Sequence, residues 1–391
     1  MPKKRGSEGS VYYNKTRKRW TAQYYEYDKQ TEKTTRRTKD FKKEEQAKKY
    51  LQSIMYQKQN PLYIENNGIP IIELMKANLK LKYDTNLISD AQFNRVRQTI
   101  NCISKSVIAE SKIDEITSEE IQEFLNSKKY LSNSTINKLF DQFKQVFNYA
   151  NNKGYISKNP MEDVIKPKSL KKNKKVRALT VEEQQKFTNW LTKQNINEFP
   201  YKNIYLIQMY AGLRAGEVLA LKSNNIDLAN KRINVYQTLT KNLENKTIMG
   251  DSTKTYAGTR QIPIPTSLYP YIVEQMRISE NNSNNPEKLL FKPNNKDYTE
   301  RADVNNTLKT VLKYKFGITD ITTHSLRHTY GTRCIEAGMQ PVVLQRLMGH
   351  TDIGTTLNTY IDVLNEFKKE EIDRVNQYYL KKDLLTNGAE R

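Results

Sequence analysis

Between residues 10 and 40 the chain runs in short segments of alternating polar and apolar or β-branched positions. These are Val11-Tyr12-Tyr13, then Trp20 to Tyr27, then Thr31 to Thr38, broken at Asn14-Lys15 and Asp28-Lys29. Alternation of period two with turn residues between the runs predicts a three-stranded sheet. From Lys42 to about Gln57 the run is charged and free of glycine, with Ala47, Leu51, Ile54 and Met55 at helical spacing, so one helix is expected on that sheet. From 66 to 165 the apolar period lengthens to that of helices. Ile116-Thr117-Ser118-Glu119-Glu120 supplies a capped start, and Asn137 to Asn151 carries Phe140, Phe143, Val146 and Phe147 on one stripe. Such spacing follows a helix face, which reads as core rather than as a base-stacking platform.

Lys166 to Arg177 (KPKSLKKNKKVR) is basic and nearly free of apolar residues, and it reads as an exposed linker. Beyond it, Thr180-Val181-Glu182-Glu183 is a capping-box start. Tyr201 to Leu221 is a long apolar helical pattern interrupted at Gly212-Leu213-Arg214-Ala215-Gly216. Residues 232 to 264 alternate like strands, and after Thr322 the chain returns to helices until close to its end. There is no internal repeat. The expected fold class is α+β and multidomain: a small three-stranded β-sheet plus helix, then an all-α helical domain, then a mainly α domain with a small β-sheet or hairpin. The boundaries read as 1–62, 63–165, a linker at 166–178, 179–364, and a C-terminal tail helix at 365–391.

Composition changes the picture in one direction. Lys and Arg number 65 against 43 Asp and Glu, a formal charge of +22, which suits a protein that lives beside a polyanion. No run of about 18 apolar residues exists to span a bilayer, and the first thirty residues lack the apolar core of a signal peptide. A soluble protein of the cytoplasm is therefore expected, with nucleic acid preferred over a membrane surface as partner. Cys102 and Cys334 have no paired spacing, which excludes a zinc ribbon and suits a reducing compartment. Lys15, Arg17, Lys18, Arg19, Lys33, Arg36 and Arg37 make the N-terminal sheet intensely basic, either as a DNA-contacting face or as a solvated β surface. Lys171, Lys172, Lys174 and Lys175 in the linker are either a plain tether or a segment that follows a phosphate backbone.

All three histidines, His324, His328 and His350, fall near the C-terminus. Thr323 to Thr332 reads as a helix from which His324 and Arg327, three apart, project together. Gly338 is set to end that helix and Pro341 to open the next, which runs to Gly349-His350; Thr355 can cap a third helix carrying Tyr360. Short connections of this kind bring His324, Arg327, His350 and Tyr360 toward one pocket.

Five separated motifs now stand in order: A-G-L-R-A-G-E around Arg214, T-K-T with Lys254, H-S-L-R-H-T around Arg327, L-M-G-H at His350, and a tyrosine ten residues later. Together they resemble the tyrosine recombinases, the integrases of phages and conjugative transposons. The resemblance covers residues 180 to 365, and in weaker form the N-terminal sheet (an arm-type DNA-binding domain) and the helical part (a core-binding domain). It implies that the Tyr360 phenol attacks a DNA phosphodiester and forms a 3′-phosphotyrosine, conserving the bond for rejoining. Arg214 and Arg327 would hold the non-bridging oxygens with permanently charged forks. Lys254, on a hairpin turn, would protonate the departing 5′ oxygen, with Lys241 and Lys246 as alternatives in the same region. His324 would assist proton transfer and His350 would bond a phosphate oxygen. No metal or cofactor is called for.

Glu217 matches an acidic family position and either orients the site or is an ordinary helix-surface Glu. His328 reads as structural. The implied partners are double-stranded DNA at core and arm-type sites, further copies of the chain as a dimer to tetramer, and accessory excision or host DNA-bending factors, in the bacterial cytoplasm or nucleoid. The tail from Asn365 to Leu385, apolar at Phe367, Ile372, Val375 and Tyr379, either packs at home or docks on a neighbouring subunit. Two rivals are a DNA-binding regulator without catalysis, which predicts a degraded catalytic set, and a relaxing topoisomerase of the same chemistry.

Overall fold

The computed structural model describes residues 9–28, 33–59, 68–171, 176–250, 259–366 and 368–382. Lys172, Lys174, Lys175, Lys254 and Phe367 lie outside them. The chain divides into two compact units, residues 1–173 and 174–391.

In the first unit β1 (Ser10–Asn14), β2 (Arg19–Asp28) and β3 (Lys33–Phe41) form an antiparallel sheet in that order, and α1 (Glu44–Gln59) packs on one face of it. Register sets Val11, Ala22 and Lys39 side by side, and Ala22 is fully buried. A helical bundle follows: α2 (Ile71–Asp84), α3 (Asp90–Ile103), α4 (Ser118–Ser127) and α5 (Asn133–Asn152). Thr117 caps α4 as its sequence requires, with Glu120 returning the bond. Ser132 starts α5 four residues before the apolar stripe begins. Phe143, Val146 and Phe147 are core, whereas Phe140 is only partly buried, with Lys166 Nζ 5.6 Å above its ring. Ser169 and Leu170, within the basic stretch, are tied down by backbone bonds from Ser169 to Asn133 Oδ1 (2.8 Å) and from Leu170 to the Lys129 carbonyl (2.8 Å).

The second unit opens with α6 (Val181–Thr192), capped by Thr180 and Glu183, then α7 (Lys202–Ala211) and the short α8 (Ala215–Leu219). Two small sheets come next. β4 (Ile226–Asp227), β5 (Arg232–Val235) and β8 (Arg260–Pro263) form one antiparallel sheet, while β6 (Leu239–Lys241) and β7 (Thr247–Met249) form a separate hairpin. α9 (Tyr269–Asn281) and α10 (Arg301–Phe316) precede Thr322, so the return to helices begins earlier than the sequence pattern indicated. The Asn- and Pro-rich stretch between them had hidden the core positions Val304, Leu308 and Leu312. The last elements are α11 (Thr323–Glu336), α12 (Pro341–Met348), α13 (Ile353–Glu366) and α14 (Lys368–Lys381). α11 packs on α7 and α13, and α12 lies against β8 and α13, so five separated segments meet at one place. Among the described residues no helix is long and apolar enough to cross a membrane.

Candidate active site

α7 ends at Gly212 with φ of 68°, and a Cβ there would lie 2.3 Å from the ring of Tyr330, so the turn admits only glycine. Two residues on, Arg214 starts α8. Its backbone N–H and its Nη1 each donate to Glu217 at 2.8 Å, and its Nη2 donates to the Gly349 carbonyl at 3.0 Å. Arg327 comes from α11 and is buried. Its Nη1 donates to the Gly212 carbonyl (2.7 Å) and its Nη2 to the Met348 carbonyl (2.5 Å), while Nε has no partner among the described residues. α12 begins on Pro341 and closes on Gly349 (φ 64°), with Gly349 and His350 donating back to Arg346 and Gln345. That glycine ending releases His350 from the helix, and the Thr356 hydroxyl holds its Nδ1 at 2.8 Å. Gly338 follows α11 at φ 80°, but Thr355 lies inside the first turn of α13, which begins at Ile353, and is not its cap. Thr355 N–H instead bonds back to the carbonyl of Asp352.

The end of α12 is a focus for cations. Three successive carbonyls, Leu347, Met348 and Gly349, accept from Arg260, Arg327 and Arg214 at 2.7, 2.5 and 3.0 Å. The negative end of a helix favours cations there. Glu217, buried rather than on the helix surface, is the carboxylate that Arg214 and Arg260 share among the described residues. Burial alone would raise the Glu217 pKa, but the hydrogen bonds and charge of Arg260, then the charge of Arg214, hold it near 2. Burial, then the charge of Arg214, lowers Arg327 to about 9, which leaves it charged at neutral pH. Partial burial followed by Arg327 and Arg214 brings His350 down to about 4 and pulls His324, whose edge is exposed, below the ordinary imidazole value. Both imidazoles are therefore neutral at pH 7 and the cradle stays cationic.

Tyr360 lies beside this cradle in different surroundings. It is buried in an apolar cluster with Ile335, Leu344 and Met348, and its hydroxyl donates to the Met348 thioether at 3.4 Å. The phenol rests directly on Gly331, where a Cβ would sit 1.9 Å from the hydroxyl. His328 faces the ring at 5.1 Å between centroids. Burial raises the phenol pKa well above its ordinary value, with Arg327 pulling the other way. The backbone at Tyr360 departs from helical angles (φ −113°, ψ 15°), so α13 is kinked at the residue itself.

The phage integrase family model matches residues 177–366, and the phage integrase SAM-like domain model matches 70–176. The chain is 28% identical to a XerC-like tyrosine recombinase of Caldanaerobacter subterraneus subsp. tengcongensis, over 72% of this chain and 76% of that protein. It is likewise 28% identical to the transposase from transposon Tn916 of Enterococcus faecalis, over 71% of each. In fold it is similar to the Tn1549 transposon integrase solved with transposon right end DNA (TM-score 0.65, 22% identity, 77% of this chain and 99% of that one). A lambda integrase dimer bound to a core site aligns at TM-score 0.56 and 13% identity, over 92% and 96%.

The chain belongs to the phage integrase family of tyrosine recombinases. As a tyrosine recombinase it is an enzyme that cleaves and rejoins DNA strands. Of the recombinase residues expected from sequence, the fold brings together Arg214, Glu217, Arg327, His324 and His350, with Tyr360 adjoining. Lys254 lies outside the described residues. Lys241 is engaged by Glu300 (2.8 Å) and the Thr247 hydroxyl (2.7 Å), and Lys246 is exposed beside Glu244 (2.9 Å). Among the described residues no group of three or more His, Cys, Asp or Glu is arranged to hold a metal, and both cysteines are free.

The basic residues near the N-terminus do not share one face. Arg36 is paired with Tyr25 on the face away from α1 and reaches the Tyr12 hydroxyl at 3.4 Å. Arg37 pairs with Tyr24, whose ring packs on Tyr50 of α1, and so belongs to the helix side. Lys15, Arg17, Lys18 and Arg19 cluster at the β1–β2 turn, all exposed, with Arg17 bonded to Asp40 at 3.0 Å; Lys171 is exposed as well.

Sequence reading missed Arg260, Gly331 and Met348. Arg260 carried a weak signal as a charged residue opening a strand otherwise apolar on its inner side. Gly331, inside a helix without a kink of its own, was a hint of close approach. Met348 carried none, because its role depends on a partner twelve residues away.

Proposed function

We propose that this recombinase integrates and excises a mobile element, a prophage or conjugative transposon, through a covalent 3′-phosphotyrosine at Tyr360, in the bacterial cytoplasm where its DNA lies. Arg214 and Arg327 hold the non-bridging oxygens of the scissile phosphate and gather the charge that develops there. His350, neutral and oriented by Thr356, donates to the phosphate, and His324 moves the proton at the nucleophile. Lys254 delivers the proton to the departing 5′ oxygen. The observation that carries this reading is the convergence of Arg214 and Arg327 on adjacent carbonyls of one helix end, with a buried guanidinium Nε left unpartnered among the described residues. Such a donor, desolvated and fixed, suits a phosphodiester oxygen. Incubation with duplex DNA carrying candidate element ends, followed by denaturing electrophoresis, is expected to reveal protein linked through a 3′ phosphate. A Tyr360→Phe variant that still forms the adduct overturns the assignment.

The chain works as an oligomer on DNA, with arm-type contacts from the N-terminal sheet and core contacts from the helical bundle. Binding falls steeply with salt through counterion release. α14 leaves Ile372, Val375 and Tyr379 exposed, an apolar stripe at helical spacing, and its partner is a neighbouring subunit. Truncation after Leu364 is expected to impair synapsis more than single-site binding; equal loss of both counts against docking between copies.

A further inference from the structure

Arg260, at the start of β8, has a buried side chain with every donor arm of its guanidinium engaged. Nη1 and Nη2 meet Glu217 Oε1 and Oε2 at 3.1 and 2.7 Å, a two-pronged pairing, and Nε donates to the Leu347 carbonyl at 2.7 Å. One side chain thereby bonds both the segment that carries Arg214 and the helix end that carries His350. Glu217 passes the restraint on, since its carboxylate also accepts the backbone N–H and Nη1 of Arg214. We infer that Arg260 is a positioning residue for recombination, a strut from β8 that fixes Glu217 and the end of α12 so that Arg214 and Arg327 meet the phosphate in register. The inference rests on the reading of Arg214, Arg327 and Tyr360 proposed above.

Three coplanar donors in fixed directions are a task for a guanidinium, and an ammonium can supply the charge but not the fork. The consequence of losing it follows from what surrounds Glu217. Among the described residues the charged and titratable groups there are Arg214, Arg260 and, at 3.9 Å, Arg327, with Arg301 of α10 beside Gly216 and His350 beyond the helix end. Without Arg260 the buried carboxylate loses its two-pronged partner and keeps Arg214 at 2.8 Å and Arg327 at 3.9 Å. Desolvation then favours its protonated form at higher pH than before. Once Glu217 is protonated, Arg214, whose side chain is 41% exposed, loses its ionic anchor and drifts from the geometry catalysis needs.

The test uses the full-length chain and duplex DNA carrying the element ends, measuring single-turnover adduct formation from pH 5.5 to 8.5. Arg260→Gln is expected to slow the adduct by about 100-fold at pH 7, the scale of a small misplacement, with DNA affinity at fixed salt little changed. Its residual rate is expected to rise with pH, a limb absent from the parent chain. Adding Glu217→Gln to Arg260→Gln is expected to abolish the limb, and Arg260→Lys to remove it while leaving the rate below that of the parent. An Arg260→Gln rate equal to the parent's overturns the inference, as does a deficit that shows no pH limb and scales only with the unfolded fraction in thermal melts. If Arg260→Gln does not fold, Arg260→Lys decides: parent-level rate sinks the inference and a pH-independent deficit in folded protein supports it. Tyr360→Phe in the same series separates the two readings, because an adduct that persists there overturns the site assignment itself, whereas its loss beside a silent Arg260→Gln overturns only the strut.

Discussion

The two halves of the site are built on opposite principles. On one side, three guanidinium groups are fixed by charge-assisted bonds to a carboxylate and to consecutive backbone carbonyls, and two of those groups are buried. On the other, the phenol sits among apolar side chains, bonded among the described residues to a thioether alone, on a helix that is already kinked at that residue. Dipoles and charges that must stabilise a transition state gain most when they need no reorganisation. On the proposed role of Tyr360, a nucleophile that must travel gains from being weakly held, because a thioether is a poor acceptor and little is forfeited on leaving it. On that reading the contrast suits a preorganised cradle and a tyrosine that leaves its resting place to react.

Substitutions can break this contrast in descending order of effect. Arg327→Lys and Arg214→Lys are each expected to slow adduct formation by about 10²–10³-fold, or roughly 2.7–4 kcal/mol. Their structural consequences differ: Arg327→Ala is expected to cost about 3 kcal/mol of unfolding free energy because it strips a buried network, whereas Arg214→Ala, at a half-exposed position, leaves the melting temperature nearly unchanged. Equal destabilisation in chemical denaturation would erase the distinction between the buried fork and the exposed one. Gly331→Ala is expected to cost about 1–3 kcal/mol through overpacking, because the added methyl overlaps the Tyr360 hydroxyl. A melting temperature unchanged from the parent would mean the phenol does not rest there. Tyr360→Phe is expected to shift stability by less than about 1 kcal/mol, the scale of one modest hydrogen bond, even as it removes all adduct.

A separate effect is in pH. The folded chain holds His350 neutral down to about pH 4, whereas the unfolded chain takes up that proton near the ordinary imidazole value of about 6.5. The unfolded state therefore binds more protons between those values, so stability falls as pH drops from about 6.5 toward 4 and is fully present above 6.5. His350→Gln is expected to flatten that slope in urea melts, and an unaltered slope would place the titration elsewhere.

Much of this was legible before any coordinates. Pro341 and Gly349 bracket α12 as their backbone preferences require, and Thr117 and Thr180 cap the helices they precede. These features are local, and local chemistry is written in neighbouring residues. Apart from the start of α13, two residues before Thr355, and the helices ahead of Thr322, what escaped was decided by distant pairing. The side on which Arg36 and Arg37 fall depends on strand register, since adjacent residues point to opposite faces. The engagement of Arg260 depends on β8 lying beside α12, and no spacing within either segment encodes that. The burial of Tyr360 depends on Met348 and Gly331 from two other helices.

The anchoring of the arginines at Leu347, Met348 and Gly349 makes the length of α12 matter more than its exposed side chains. Their acceptors are peptide carbonyls, which every amino acid supplies, so exchanges at the exposed positions Val342 and Val343 leave them in place as long as the helix keeps its length and its left-handed closing glycine, whereas Leu344 and Met348 are held by the Tyr360 cluster. A single inserted or deleted residue in α12 would turn its terminal carbonyls by about 100°, uncoupling all three guanidinium groups at once, whereas many simple exchanges along its outer surface would pass unnoticed.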